Sequence, residues 1–140
     1  MSTMNKEEIL QFLNENPAFS LATCEGNVPH VRNLLLHKAD ETGIYLMVGK
    51  FKDVYRQLSV NPYVELCFHN SDFQVRISGQ LENLDKDLNL KKEILSVRPF
   101  MAPWIEQFGF KYMAVFRLRY GKAVTWSLET ELLPKVVIQL

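Results

Sequence analysis

The chain has no net charge, with sixteen Lys and Arg balancing sixteen Asp and Glu over 140 residues. That excludes the broad basic field that holds a nucleic-acid backbone regardless of base sequence, so any anion must be met locally. No apolar run approaches the roughly 20 residues of a membrane span. The opening MSTMNKEEIL places acidic and polar groups where a secretory signal needs a basic segment followed by an unbroken apolar one. Cysteine is scarce: Cys24 and Cys67 sit in separate apolar runs, with no Cys or His at zinc-ligand spacing. Two buried thiols in a cytoplasmic protein are the expectation. The familiar catalytic signatures are missing as well, with no G-x-S-x-G, P-loop or G-x-G-x-x-G. His30, His37 and His69 lie on different segments without a carboxylate or cysteine at a telling offset, and neither Ser20 nor Ser78 has a sequence warrant for a triad. No metal site and no side-chain nucleophile are expected, and any chemistry falls to a cofactor.

What is present reads as a globular protein: 47% hydrophobic and 23% charged residues, in a length that suits one domain spanning residues 1–140. Asn5, with Glu8 three residues on, marks a helix start ahead of Ile9, Leu10, Phe12 and Leu13, and Pro17 limits that helix to about three turns. The period then shortens. Phe19–Cys24 and Val28–Ala39 flank a Glu25-Gly26-Asn27 turn and should form a hairpin, followed by Ile44–Val48 as a third strand. KFKDVYRQLSVNP reads as a short helix with Val54, Tyr55 and Leu58 on one face. Tyr63–Phe68 and Phe73–Leu84 are strands around an Asn70-Ser71-Asp72 turn, and Gly79 marks a bulge or a close approach. Asp85 is placed to cap a helix through Leu88, Leu90, Ile94 and Leu95, and Trp104–Phe108 forms a second short one. Tyr112–Leu118 and Lys122–Ser127 return to strand, and the KVVIQL tail is apolar enough to pack on the body or on a second subunit. Six or seven strands at short spacing favour a closed antiparallel barrel over a sandwich, because closure removes exposed edges. A five-stranded oligonucleotide-binding barrel fits the strand number nearly as well, but it needs exposed aromatics on a basic face.

Three regions carry polar groups that folding does not require. Arg32 heads the apolar run Asn33–Leu36, Lys50 and Lys52 flank Phe51 just before a helix N-terminus, and Gln74 and Arg76 open the strand that holds Gly79. Each has a plain reading taken singly: Lys50 and Lys52 as solvated turn residues, Arg32 as a strand-end charge, Gln74 as a surface amide. If a barrel brings them together, a guanidinium, two ammonium groups and a helix N-terminus suit a phosphate.

The succession PHVRNLLL, GIYLMVGKFKDVYRQLSVNPYVELCF and FQVRISG resembles the FMN-binding split-barrel family related to pyridoxamine 5'-phosphate oxidase. That resemblance implies a mainly β fold with added helices: a six-stranded antiparallel split barrel of Greek-key type with peripheral helices. It also implies a homodimer with FMN in each of two interface clefts. Carried over residue by residue, it places Arg32, Asn33 and Leu34 beside the flavin with His37 near the end of that run, and Met47 and Val48 against the ring or ribityl chain. Lys50 and Lys52 fall on the phosphate, Gln74, five residues before Gly79, on the cofactor, and Trp126 over the ring, where a core or interface tryptophan is an equal alternative. The oxidases proper carry a C-terminal Arg-x-His segment for pyridoxal phosphate. TWSLETELLPKVVIQL has neither residue type, so the resemblance points instead to the small branch that includes nitroimidazole-resistance reductases. The expected function is an FMN-dependent oxidoreductase passing electrons from NAD(P)H to a small acceptor, with no nucleic-acid or membrane partner. The alternative is a carrier or sensor that binds flavin or haem without turnover, in which His30, His37 or His69 ligates haem.

Overall fold

In a computed structural model, which describes residues 4–140, helix α1 (Lys6–Glu15) begins where the capping signal stands. Asn5 Oδ1 accepts from the Glu8 N–H at 2.8 Å, and Glu8 Oε1 accepts from the Asn5 N–H at 3.0 Å. The stripe Ile9, Leu10, Phe12 and Leu13 is buried. Asn14 then ties the helix to the main chain of Ala39, donating to its carbonyl at 2.7 Å and accepting from its N–H at 3.0 Å.

Antiparallel strands make up most of the rest: β1 (Ala18–Glu25), β2 (Val28–Leu35), β3 (Lys38–Asp40), β4 (Gly43–Gly49), β5 (Tyr63–His69), β6 (Phe73–Asn83), β7 (Met113–Leu118), β8 (Lys122–Ser127) and β9 (Val137–Gln139). Helix α2 (Asp53–Val60) joins β4 to β5, while α3 (Leu88–Val97) and α4 (Ala102–Phe108) lie between β6 and β7. The fold is the expected split barrel with more strands than the six of the family pattern. The segment expected as one strand over Val28–Ala39 breaks after Leu35, and the tail adds β9 by pairing with β8. The break has a cause in hydrogen bonding. Leu36 turns its N–H to the Pro17 carbonyl, His37 turns its own to Tyr45, and Arg98 donates to the Leu35 and Leu36 carbonyls.

Strand β6 joins the two halves of the barrel. Phe73–Ser78 pair with β8, whereas Leu81–Asn83 pair with β7, so the changeover falls at Gly79 and Gln80. Pairing with β5 runs unbroken through Val64 and Gly79, which rules out a bulge there. A Cβ at position 79 would lie 3.4 Å from the Leu118 side chain, at contact distance and with no main chain pressing on it.

Alternation along the strands builds the core. Phe19, Leu21, Leu66, Phe68, Val75 and Ile77 point inward from one half and meet Ile44, Leu46, Val48, Phe116 and Leu118 from the other. The opposite face of β4 and β7 carries Tyr45, Met113 and Val115, which form a separate cluster with Leu90 and Ile94 of α3 and with Met101. Two further expectations fail. Asp85 does not cap α3; Asp87 does, accepting from the Leu90 N–H at 3.0 Å, because the chain runs two residues further before it turns helical. The thiols are not both buried either: Cys24 is exposed and Cys67 half-buried, since both lie on the outward phase of their strands.

Candidate functional site

Arg32 lies on the inward phase of β2, opposite Leu21 of β1, at the open edge of the sheet where α2 covers the seam. Its guanidinium is half-buried and meets a polar pocket. Nη1 donates to the Leu21 carbonyl at 3.1 Å and to Thr23 Oγ1 at 2.9 Å, and Nη2 donates to Gln57 Oε1 at 2.5 Å. Thr23 in turn donates to the same Gln57 oxygen at 2.6 Å. Burial pulls the Arg32 guanidinium below its ordinary range and nearby Asp53 opposes this, yet no carboxylate pairs with it among the described residues. It remains a cation with spare donors.

Thr23 and Gln57, only 2% and 4% exposed, were not singled out from the sequence. Both had a legible signal. Thr23 continues the inward alternation of Phe19 and Leu21, and Gln57 falls between Val54 and Leu58 on the buried stripe of α2.

The two lysines before α2 take different roles. Lys50 Nζ lies 3.1 Å from Asp85 Oδ2 and over the Tyr55 ring, while the other Asp85 oxygen accepts from the Val115 N–H. Lys52 occupies the N-cap position of α2, where its side chain makes no capping bond; it is exposed and has no ion-pair partner among the described residues. Of the pair, Lys52 is the free cation beside the first turn of α2, where unbonded N–H groups favour an anion. Lys91 of α3 adds a third ammonium, buried and donating to the Phe110 carbonyl at 3.2 Å; burial pulls it down in pKa and Asp85 opposes.

The other expected residues divide between the two faces of the sheet. Leu34 packs on the core from the inward face, and the Val48 side chain is 3% exposed within that core. Met47 points the other way, into the cluster beside α3. Asn33 projects outward and accepts from Ser20 at 2.9 Å. The register places Gln74 and Trp126 side by side across β6 and β8 on the outward face, where they stand at the meeting of two hollows of about 470 and 880 Å³. The Gln74 amide has no partner among the described residues, and the Trp126 indole donates to Glu131 at 2.6 Å. Arg32 and Lys52 are thus linked through α2, Arg32 by its bond to Gln57 and Lys52 as the residue at the helix N-cap, whereas Gln74, Trp126 and Asn33 project outward.

His37 closes the end of the β2 run. Its side chain is 5% exposed, with Nε2 2.5 Å from Glu93 and Nδ1 without a partner. The His37 hydrogen bond, with Lys38 adding its charge, holds the Glu93 carboxyl below its ordinary 4.5. The folded-state value is depressed, so this contact stabilises fully above about pH 4.5 and is lost as pH falls through the folded value. Thermal melts should show a flatter acid limb in Glu93→Gln than in the parent below that pH. The difference should be a fraction of a kcal/mol, because Glu93 is partly solvated.

Among the described residues no three His, Cys, Asp or Glu side chains come together in a way that could hold a metal ion, and no helix is long and apolar enough to cross a membrane. A family model described as pyridoxamine 5'-phosphate oxidase matches residues 5–127. Over 85 residues the chain is 34% identical to a pyridoxine/pyridoxamine 5'-phosphate oxidase of Psychrobacter cryohalolentis, covering 59% of this chain and 39% of that protein. Over 98 residues it is 33% identical to a pyridoxine-5'-phosphate oxidase of Dictyostelium discoideum, covering 67% of this chain and 42% of that protein. The chain thus spans about two-fifths of the length of these curated relatives. A crystal structure of a NimC/NimA family protein from Clostridium acetobutylicum superposes with a TM-score of 0.77 at 25% identity, covering 96% of this chain and 92% of that one.

Proposed function

The chain belongs to the pyridoxamine 5'-phosphate oxidase family, and from that premise we propose that it binds FMN as a homodimer and serves as a flavin-dependent oxidoreductase. The observation that carries this reading is Arg32: a half-buried guanidinium without a carboxylate partner, bonded to Gln57 of the same helix whose N-cap position holds the unpaired Lys52. These are the donors a phosphate monoester needs, one two-pronged and one a point charge.

The split between the two faces supports the dimer. Arg32 lies on the inward phase of the edge strand β2, whereas Gln74 and Trp126 lie on the outward face of β6 and β8. A second copy placing its outward face against the Arg32 edge of the sheet brings an unpartnered amide and an exposed indole to the planar part of the ligand. Lys50 then acts by holding Asp85 and the turn, and Val48 contributes through its main chain, since its side chain is sealed in the core. Asn33 and Leu34 project from opposite faces of β2, Met47 packs in the cluster beside α3, and His37 sits at the far end of the β2 run.

A bound flavin supplies hydride exchange at its N5, here between NAD(P)H and a small acceptor. The chain's part is to grip the phosphate, orient the ring and limit its contact with water. Freshly purified protein should be yellow. Adding FMN at a hundredfold excess over Kd should stabilise it by about 2.7 kcal/mol, roughly 10 °C in Tm for a chain of this length. Colourless protein with an unmoved Tm overturns the reading. Rapid mixing of the loaded protein with NADH or NADPH tests turnover: prompt bleaching is expected, and a persistent flavin spectrum leaves binding without electron transfer.

A further inference from the structure

Thr23 and Gln57 form a buried polar pair that the phosphate-binding reading does not itself require. Their oxygens stand 2.6 Å apart, and each takes a different terminal nitrogen of Arg32: Thr23 from Nη1 at 2.9 Å and Gln57 from Nη2 at 2.5 Å. Two adjacent acceptors facing Nη1 and Nη2 match the end-on fork of a guanidinium, whose two outer N–H bonds run parallel. The other Nη1 hydrogen goes to the Leu21 carbonyl at 3.1 Å. Of five N–H donors, three are thereby committed, leaving Nε–H and the second Nη2–H, the parallel pair on the side-on edge.

Resting on the reading that Arg32 meets the flavin phosphate, we propose that Thr23 and Gln57 are positioning residues, which occupy the end-on fork and so present the side-on edge of Arg32 to the phosphate as a bidentate donor. A free arginine samples many rotamers and would lose that freedom on binding, whereas one clamped by buried acceptors has already lost it. The pair also explains why polar groups persist on the inward phase of β1 and the buried stripe of α2: their partner is a charge held at the seam.

The test compares FMN with riboflavin, which has the same ring and no phosphate, by fluorescence titration of the full-length protein. The parent should prefer FMN. Gln57→Leu and the nearly isosteric Thr23→Val should each reduce that preference about five- to tenfold while leaving riboflavin affinity unchanged, and Thr23→Ser, which keeps the hydroxyl, should restore it. A merely structural role would weaken both ligands alike or lower Tm with the preference intact. An unchanged preference in Thr23→Val and Gln57→Leu, with Arg32→Ala abolishing it, overturns the clamp and leaves the phosphate reading standing. An unchanged preference in Arg32→Ala overturns the phosphate reading, and the clamp falls with it. Should Gln57→Leu fail to fold, Thr23→Val reads the same ratio from the other side of the fork.

Discussion

Arg32→Ala lowers FMN affinity by about 1.5–3 kcal/mol, or roughly 10- to 150-fold, the range for a hydrogen bond to a charged group. Titration by flavin fluorescence quenching measures it, and riboflavin should bind the variant as well as it binds the parent. The folded protein tolerates the change, because Thr23 and Gln57 keep their mutual 2.6 Å bond when the guanidinium is gone. Arg32→Lys recovers only part of the loss: an ammonium keeps the charge but has no fork to divide between the clamp and the ligand. Full FMN affinity in Arg32→Ala would remove Arg32 from the site.

Phe68→Ala destabilises the fold by about 3–5 kcal/mol, the cost of deleting a buried aromatic side chain and leaving a cavity behind. Phe68 is wholly buried, and its ring stacks on Phe19 at a centroid distance of 4.7 Å in the core shared by both halves of the barrel. Against a typical stability of about 5–15 kcal/mol, that loss is large enough to unfold a marginal chain near physiological temperature. The urea midpoint should fall sharply with the slope unchanged, whereas Val60→Ala, at a position 84% exposed, should move it little. A Phe68→Ala midpoint within error of the parent would contradict the placement of the core.

Most of the fold was readable because strand period and turn chemistry are local signals. The alternation of Phe19 and Leu21, the Asn5/Glu8 capping box and the Asn70-Ser71-Asp72 turn each act within a few residues, and each fell where expected. Where reading failed, a distant partner had decided. Val28–Ala39 has no local reason to break at Leu36, but carbonyls there are claimed by Arg98, more than sixty residues on. Asp85 has an ordinary cap residue's chemistry, yet the Val115 N–H and the Lys50 ammonium take both of its oxygens.

The candidate site divides along the same line. Residue order alone determined that this chain lacks the motifs of side-chain catalysis, has a guanidinium at the head of an apolar strand, and carries basic residues before a short helix. Those facts follow from composition and spacing, and they identify which groups could meet a phosphate. Tertiary structure alone decided which of them are free. It paired Lys50 with Asp85 and left Lys52 open, put Gln74 and Trp126 on the face away from Arg32, and placed Thr23 and Gln57 against the guanidinium. The reason is physical: a side chain's availability depends on which polar groups burial has forced it to satisfy, and those partners come from strands and helices far away in the chain.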